Sequence, residues 1–220
     1  MSAKTISRRA FLKACCLTTA AAGLSVCGLS LAMPSADPDA VELPCLAYGE
    51  KNMSYRILVA YASKLGSTGE IAAEIGKTLS ANGLSVDVRP MQENLPLDGY
   101  QAILLGSAVR FGNWLPEAVA FVEANRQALR RVPVALFSVH ITNQGDDQQS
   151  RRNRRAFLDQ VRPLVDPVEE VFFAGKFDRR GAAELMPGLL ARLVPTMDFR
   201  KWEKIRAWAE GIHSQLLLPA

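Results

Sequence analysis

The chain has 220 residues, of which 49% are hydrophobic and 22% are charged, as in an ordinary globular protein. This length allows one or two domains. The net charge of +4 at neutral pH is too small to indicate a nucleic-acid-binding protein, and we expect no nucleic-acid partner.

The first 32 residues resemble an export signal rather than part of a fold. Arg8 and Arg9 form a pair near the N-terminus, and an apolar, alanine-rich run follows over residues 14–32. This pattern is typical of a twin-arginine signal. We therefore predict a signal segment over 1–32 and a location in the periplasm or on the outer face of the cytoplasmic membrane. The alternative is an N-terminal membrane anchor that is never cleaved.

Cysteine usage excludes several kinds of site from the rest of the chain. Three of the four cysteines lie in the signal segment, and Cys27 lies in a sequence close to a lipoprotein box, so lipidation is an alternative there. Cys45 lies in 33–53, which we predict to be a flexible linker because it contains prolines and acidic residues without periodicity. The domain predicted over 54–220 therefore has no disulfide, no thiolate metal site and no cysteine nucleophile.

Five strand-like runs alternate with helical patterns from residue 55 onward. The predicted strands are 55–61, 84–89, 100–106, 132–139 and 168–174. The predicted helices are 67–81, 116–129, a segment that carries Phe157, Leu158 and Val161, 182–193 and 199–217. Most of these strands are continuous apolar runs, which is typical of a parallel sheet buried on both faces. The sequence predicts an α/β fold with a doubly wound, five-stranded parallel sheet and helices on both faces.

Ligands of such folds bind at the carboxyl ends of the strands, so the loops after strands one, three and four are candidates. The first loop contains three hydroxyls, a lysine and a glycine, in the order Ser63, Lys64, Leu65, Gly66, Ser67 and Thr68. It lacks the glycine patterns of nucleotide triphosphatases and of dinucleotide-binding proteins. Hydroxyls before a helix N-terminus favour a terminal monophosphate. An ordinary serine-rich turn that caps the helix is the alternative.

The second loop combines small residues with aromatic ones. Its candidate binding residues are Ser107, Ala108, Val109, Arg110, Phe111, Gly112 and Asn113. A flat heteroaromatic ring fits against this backbone with Phe111 or Trp114 as a wall, and burial of either aromatic in the core is the alternative. Arg110 is either a solvated charge or the group that neutralises an anionic ring or a substrate carboxylate.

The third loop begins with the candidates Ser138, Val139 and His140. His140 is either a plain hydrogen-bonding residue or an acid–base group. The arginines at 151, 152, 154 and 155 form either a solvated helix start or a basic lip for an anionic substrate. These residues do not identify a catalytic group, although Arg110 and His140 are candidates. No cluster has the spacing of a metal site, so we expect the chemistry to come from a cofactor.

The candidate loops resemble those of a known family. Residues 63–68 are similar to the Ser/Thr-x-x-Gly-x-Thr phosphate loop of flavodoxins, which bind FMN. Residues 106–112 and 137–139 resemble more closely the flavodoxin-domain protoporphyrinogen dehydrogenases that use menaquinone. Their patterns are Gly-Ala-Ser-Ile-Arg-Tyr-Gly after strand three and Tyr-Ser-Val after strand four. Ala174-Gly175 and the segment 198–209 fit as well, so the resemblance covers about 55–213.

The resemblance implies a flavodoxin-like fold with FMN bound by the candidate residues of the three loops. It implies oxidation of a substrate such as protoporphyrinogen, with a quinone or another redox partner as electron acceptor. Membrane contact is expected through an uncleaved signal or through peripheral association. Two alternatives stay open: an exported electron carrier without a substrate of its own, and a flavin-free binding domain that kept the fold.

Overall fold

The computed structural model of the chain describes residues 41, 43–50, 55–92, 95–183, 186 and 188–217. The predicted signal segment lies outside the described residues and stays a prediction. None of the helices in these ranges is long and apolar enough to cross a membrane.

The elements alternate between strand and helix, as predicted. The strands are β1 (Leu46–Tyr48), β2 (Arg56–Ala62), β3 (Ser85–Pro90), β4 (Ala102–Arg110), β5 (Asn113–Trp114), β6 (Val134–His140), β7 (Glu169–Ala174), β8 (Lys176–Phe177) and β9 (Met197–Asp198). The helices are α1 (Ser67–Ala81), α2 (Pro116–Leu129), α3 (Gln148–Ala156), α4 (Arg179–Ala183), α5 (Gly188–Ala191) and α6 (Trp202–Leu216).

The five long strands form a parallel sheet in the order β3-β2-β4-β6-β7. This arrangement confirms the predicted doubly wound α/β fold. Within these five strands the chain begins at β2, adds β3 on one side and then crosses to β4 on the other. The switch point therefore lies between the carboxyl ends of β2 and β4, where such folds bind their ligands.

Alternating side chains of the central strands supply two hydrophobic layers. Ile57 and Val59 of β2 point to one face and pack with residues of α1 and α6. Leu58 and Ala60 point to the other face and pack with residues of α2 and of the turns at 157–165. Burial on both faces explains why these strands are continuous apolar runs in the sequence.

The predicted flexible linker is wrong for the segment that precedes β2. Leu43 is 5% exposed and belongs to the core, and β1 pairs antiparallel with the edge strand β3. The Tyr61 hydroxyl also donates a hydrogen bond of 2.8 Å to the Pro44 carbonyl. A three-residue strand is too short to show periodicity, and its stability comes from a partner 40 residues away along the chain. The folded unit therefore begins before Ser54.

Other predicted boundaries shift for local reasons. The third predicted strand ends at Gly106, but β4 continues to Arg110 because it forms a hairpin with β5.

Helix α3 begins at Gln148, within the predicted loop, where the Asp147 carboxylate accepts a hydrogen bond of 2.9 Å from the Ser150 amide. None of its residues is buried, so it has no apolar periodicity to detect. Phe157, Leu158 and Val161 lie in the turns that follow α3 instead of in a helix, and the predicted helix 182–193 is replaced by α4 and α5.

Candidate functional site

The loop after β2 is closed by its own residues. Gly66 adopts a φ of 91° and precedes the first turn of α1, a left-handed conformation that favours glycine. The Ser63 hydroxyl accepts a hydrogen bond of 3.0 Å from the Gly66 amide. No side chain among the described residues caps α1, so its first-turn N–H groups have no side-chain acceptor. Such N–H groups and the helix dipole attract an anion.

Thr68 adds an unsatisfied hydroxyl to this loop. The side chain is fully buried, and its Oγ1 finds no hydrogen-bond partner in the part of the chain that the structure describes. Leaving a buried hydroxyl unpaired costs about 1–3 kcal/mol. A ligand oxygen bound at the helix N-terminus would satisfy it, which fits the predicted phosphate.

The segment before β2 packs against the outer side of the same loop. A Cβ added to Gly66 would lie 3.0 Å from Val41 Cγ1, and one added to Gly69 would lie 2.8 Å from Pro44 Cδ. A side chain at Gly69 would force its neighbours to move, and one at Gly66 would press against Val41. The loop at 63–68 is therefore held between the sheet and the N-terminal segment.

The second loop is a tight hairpin with an exposed aromatic tip. Arg110 pairs with Asn113, and the two residues between them, Phe111 and Gly112, have φ angles of 49° and 80°. A two-residue turn of this kind favours Asn-Gly, and a left-handed conformation costs a phenylalanine roughly 1–2 kcal/mol. Phe111 is 78% exposed. Phe111 is therefore not a core residue. Its left-handed backbone and the exposure of its apolar ring to solvent are both unfavourable for the protein alone.

The base of the hairpin is fixed by buried hydrogen bonds. Trp114 is 2% exposed, and its Nε1 donates a hydrogen bond of 2.8 Å to the Ser138 hydroxyl. The Leu115 amide donates one of 3.0 Å to the Ser107 hydroxyl. Trp114 is thus the core residue of the two aromatics, and Ser107 and Ser138 use their hydroxyls to hold the hairpin.

A cavity of about 310 Å³ lies between the three loops. The predicted residues that line it are Ser63, Lys64, Leu65, Ser67, Ala108, Val109, Arg110, Phe111, Gly112, Val139 and His140. The other predicted residues, Gly66, Thr68, Ser107, Asn113 and Ser138, do not line it. The three loops come together at the switch point, as the sequence predicted.

A fourth wall, after β7, was missed by the sequence analysis. Its lining residues are Gly175, Lys176, Phe177 and Gly181. The Gly175 amide donates a hydrogen bond of 2.8 Å to the His140 carbonyl, and a Cβ on Gly175 would lie 2.9 Å from Val139 Cγ1. A glycine directly after the fifth strand was the available signal, because that strand ends at the same edge of the sheet. Leu115, Ile141 and Thr142 also line the cavity and were not predicted.

The lining of the cavity is cationic and apolar. Lys64, Arg110 and Lys176 contribute positive charge, and none of the described lining residues is acidic. The Arg110 guanidinium lies 5.1 Å from the centre of the Phe111 ring. This lining fits a ligand that has a phosphate at one end and a flat ring at the other, as FMN has. Thr68 does not line the cavity itself, but its orphaned hydroxyl directly follows the lining residue Ser67 at the start of α1.

His140 is buried at the end of β6, with 4% of its surface exposed. Burial lowers the pKa of His140 below its ordinary value of 6.5, although a hydrogen bond to the Thr142 carbonyl works in the opposite direction. The 2.5 Å distance from Nδ1 to that carbonyl means that Nδ1 carries the proton of the neutral ring. The ring is therefore neutral and oriented near pH 7.

The arginine run fits a solvated helix start. Arg154 donates hydrogen bonds to the Asn143 and Gly145 carbonyls, which fixes the loop before α3. Arg151, Arg152 and Arg155 are exposed, and none of the four lines the cavity. The predicted basic lip for an anionic substrate stays untested.

Comparisons with known proteins agree with this arrangement. The flavodoxin domain family matches residues 58–183, which contain all three predicted loops and the fourth wall. Protoporphyrinogen IX dehydrogenase [quinone] of Escherichia coli K12 is 25% identical over 108 residues, 47% of this chain and 60% of that protein. The same enzyme of Escherichia coli O157:H7 gives the same figures. The chain thus matches less than two thirds of the length of these relatives.

Solved structures show the same kind of likeness. Flavodoxin 2 of Bacillus cereus is 22% identical with a TM-score of 0.46, over 73% of this chain and 99% of that one. An oxidoreductase of Corynebacterium diphtheriae is 16% identical with a TM-score of 0.47, over 75% and 98%. Because the family match covers more than half of the sequence, this chain belongs to the flavodoxin domain family, whose fold points to a flavin-binding redox function.

Proposed function

We propose that this chain is an FMN-dependent oxidoreductase that oxidises a porphyrinogen-type substrate and passes the electrons to a quinone. The observation that carries the cofactor assignment is Thr68 Oγ1, a buried hydroxyl without a partner, next to the uncapped N-terminus of α1. A fold that needed this residue only for packing would be more stable with an apolar side chain there.

The phosphate loop binds the terminal phosphate in this proposal. The first-turn N–H groups of α1 and the hydroxyls of Ser67 and Thr68 donate to its oxygens, and Lys64 neutralises part of its charge. Ser63 keeps its hydroxyl for the Gly66 amide and acts by holding the loop. FMN, when bound, supplies the two-electron chemistry of its ring.

The other walls would hold the ring. Val109, Phe111 and Val139 exclude water from it, and the charges of Arg110 and Lys176 favour electron density on it. His140 presents a neutral Nε2 acceptor, because its proton lies on Nδ1. No side chain needs to act as a nucleophile, since the protein contributes binding, orientation and electrostatics.

The substrate and the acceptor are inferred from the resemblance of 106–112 and 137–139 and from the 25% identical relatives named for protoporphyrinogen and a quinone. Turnover tests them directly. Protoporphyrinogen IX supplied with the quinone menadione should give protoporphyrin fluorescence that depends on bound FMN. Reversible one-electron reduction of bound FMN without turnover would instead support the electron carrier.

The cofactor has a simpler test. The purified protein should show the visible absorbance of an oxidised flavin, or gain it on titration with FMN to one equivalent. A colourless protein that ignores added FMN would contradict every flavin-based function and support the flavin-free binding domain.

We also infer that the chain is exported with its cofactor already bound, because the twin-arginine route carries folded proteins. Residues 1–53 fused to a reporter that works only outside the cytoplasm should lose activity when Arg8 and Arg9 are both changed to lysine. An active double variant would contradict this route.

A further inference from the structure

The hairpin separates the cofactor cavity from a second, open groove on its other side. This groove encloses about 930 Å³. Four residues line both the groove and the cavity: Lys64, Arg110, Phe111 and Leu115. An occupant of the groove would therefore touch the same four residues as an occupant of the cavity.

One face of α2 forms the floor of the groove. Pro116, Val119, Ala120 and Glu123 line it, at the spacing of residues that share one side of a helix. With a rise of 1.5 Å per residue, this floor runs about 10 Å away from the hairpin. Pro116 and Ala120 are exposed and Val119 is half-buried, so most of the floor is apolar and accessible.

Charge is distributed unevenly along the groove. Lys64 and Arg110 lie at the hairpin end, and Glu123 lies two helical turns away from Pro116. A ligand with a negative group at the far end would meet this carboxylate. The groove therefore suits an apolar body whose single negative group points toward the hairpin.

The fold alone does not explain why a phenylalanine occupies position 111. The turn geometry favours asparagine at this position, and burial does not favour phenylalanine, because 78% of the side chain is exposed. A left-handed phenylalanine that borders two cavities is accounted for if its ring contacts ligands.

We propose that the groove binds a planar, apolar organic anion, which lies against Phe111 with its negative group directed at Lys64 and Arg110. This inference rests on the proposed function, because it assigns the cavity on the other side of the hairpin to FMN. It adds the place and the chemical class of the second ligand of the same site.

A matched pair of inert probes tests both parts of the inference. Naphthalene-2-sulfonate and naphthalene-2-sulfonamide share a ring system and differ in charge. Titrated calorimetrically into the FMN-loaded protein, the sulfonate should bind about tenfold more tightly than the sulfonamide. Added FMN should not displace it.

Variants on α2 locate the binding. Ala120→Glu places a carboxylate in the floor and should weaken sulfonate binding about tenfold, with a smaller effect on the sulfonamide. Ala124→Glu is the control, because Ala124 is exposed on the same helix but does not line the groove. It should bind both probes as the wild type does, and both variants should keep the flavin absorbance.

Three results would overturn the inference: no measurable sulfonate binding, equal binding by Ala120→Glu and wild type, or displacement of the sulfonate by FMN. The last result would put the probe in the cofactor cavity. If the wild type bound no FMN, the proposed function would fail separately. The same titration of FMN-free wild type and variants would then still decide whether the groove binds the anion.

Discussion

The phosphate loop and the hairpin lie on the same edge of the sheet, but they are built in opposite ways. The loop buries Ser63 and Thr68, is closed by the Ser63 hydroxyl and is backed by the segment that contains Val41 and Pro44. The hairpin is fixed at its base by the buried hydrogen bond from Trp114 to Ser138 and exposes Phe111 at its tip. The loop suits a group that must be held tightly, and the tip suits a ligand surface that must stay accessible.

Each region nevertheless carries one feature that is unfavourable for the protein alone. In the loop it is the unpaired hydroxyl of Thr68, and in the hairpin it is the left-handed backbone of Phe111. Such features cluster at ligand sites, since the ligand supplies the missing interaction. The cavity between the two regions is where that ligand would lie.

The largest effect is expected from a negative charge in the loop. Gly66→Glu adds a side chain that presses against Val41 on a left-handed backbone, and it would place a carboxylate beside the phosphate. FMN affinity should fall more than about 100-fold, measured by flavin fluorescence titration. The variant should keep its circular dichroism spectrum, because the change affects one loop. Retained FMN affinity would show that the phosphate is bound elsewhere.

Weakening the packing of the N-terminal segment that contacts the loop should have the next largest effect, on the stability of the protein. Leu43 is 5% exposed, so Leu43→Ala should lower the free energy of unfolding by about 2–3 kcal/mol. Denaturant titration measures this loss. A linker that was flexible here, as the sequence suggested, would give no change. The exposed Leu189→Ala variant is the control, and its stability should match that of the wild type.

A substitution at the tip of the hairpin should raise the stability of the protein and lower its affinity for FMN. Phe111→Asn introduces a residue that tolerates the left-handed turn better than phenylalanine does. The free energy of unfolding of the FMN-free protein should therefore rise by about 0.5–1 kcal/mol. FMN affinity should fall several-fold, because the ring loses an aromatic wall. A loss of stability would mean that the phenyl ring has a structural role that its exposure does not reveal.

The smallest effect concerns pH. The folded protein holds the pKa of His140 below the 6.5 of the unfolded chain, so the unfolded state binds the extra proton first as the pH falls. This contribution to stability is present above pH 6.5 and is lost progressively below it. His140→Gln, which does not titrate there, should show a flatter decrease in melting temperature between pH 7 and about pH 5. Parallel curves would show that His140 titrates normally.

The sequence predicted α1 and the position of the loop that precedes it almost completely, because both depend on neighbours in the chain. Helix α1 spans the predicted 67–81, and the loop residues follow β2 directly. The hairpin was only half predicted: its residues were named, but its strand pairing depends on Trp114 and Ser138, which are 24 residues apart. The wall at Gly175 and the docking of Leu43 depend on contacts that are more distant still. The glycine after the fifth strand was a local signal for the wall, but no local pattern marks the docking of Leu43.

Thr68→Val tests the central claim most directly, since it removes only the hydroxyl that the fold leaves unpaired. If that hydroxyl is there for the ligand, the FMN-free variant should be at least as stable as the wild type, and FMN affinity should fall about tenfold or more. Ser80→Ala, a change at the other end of α1 where the hydroxyl donates only to the Lys77 carbonyl of the same helix, should leave FMN affinity unchanged. A Thr68→Val protein that binds FMN like the wild type but unfolds more easily would contradict the account.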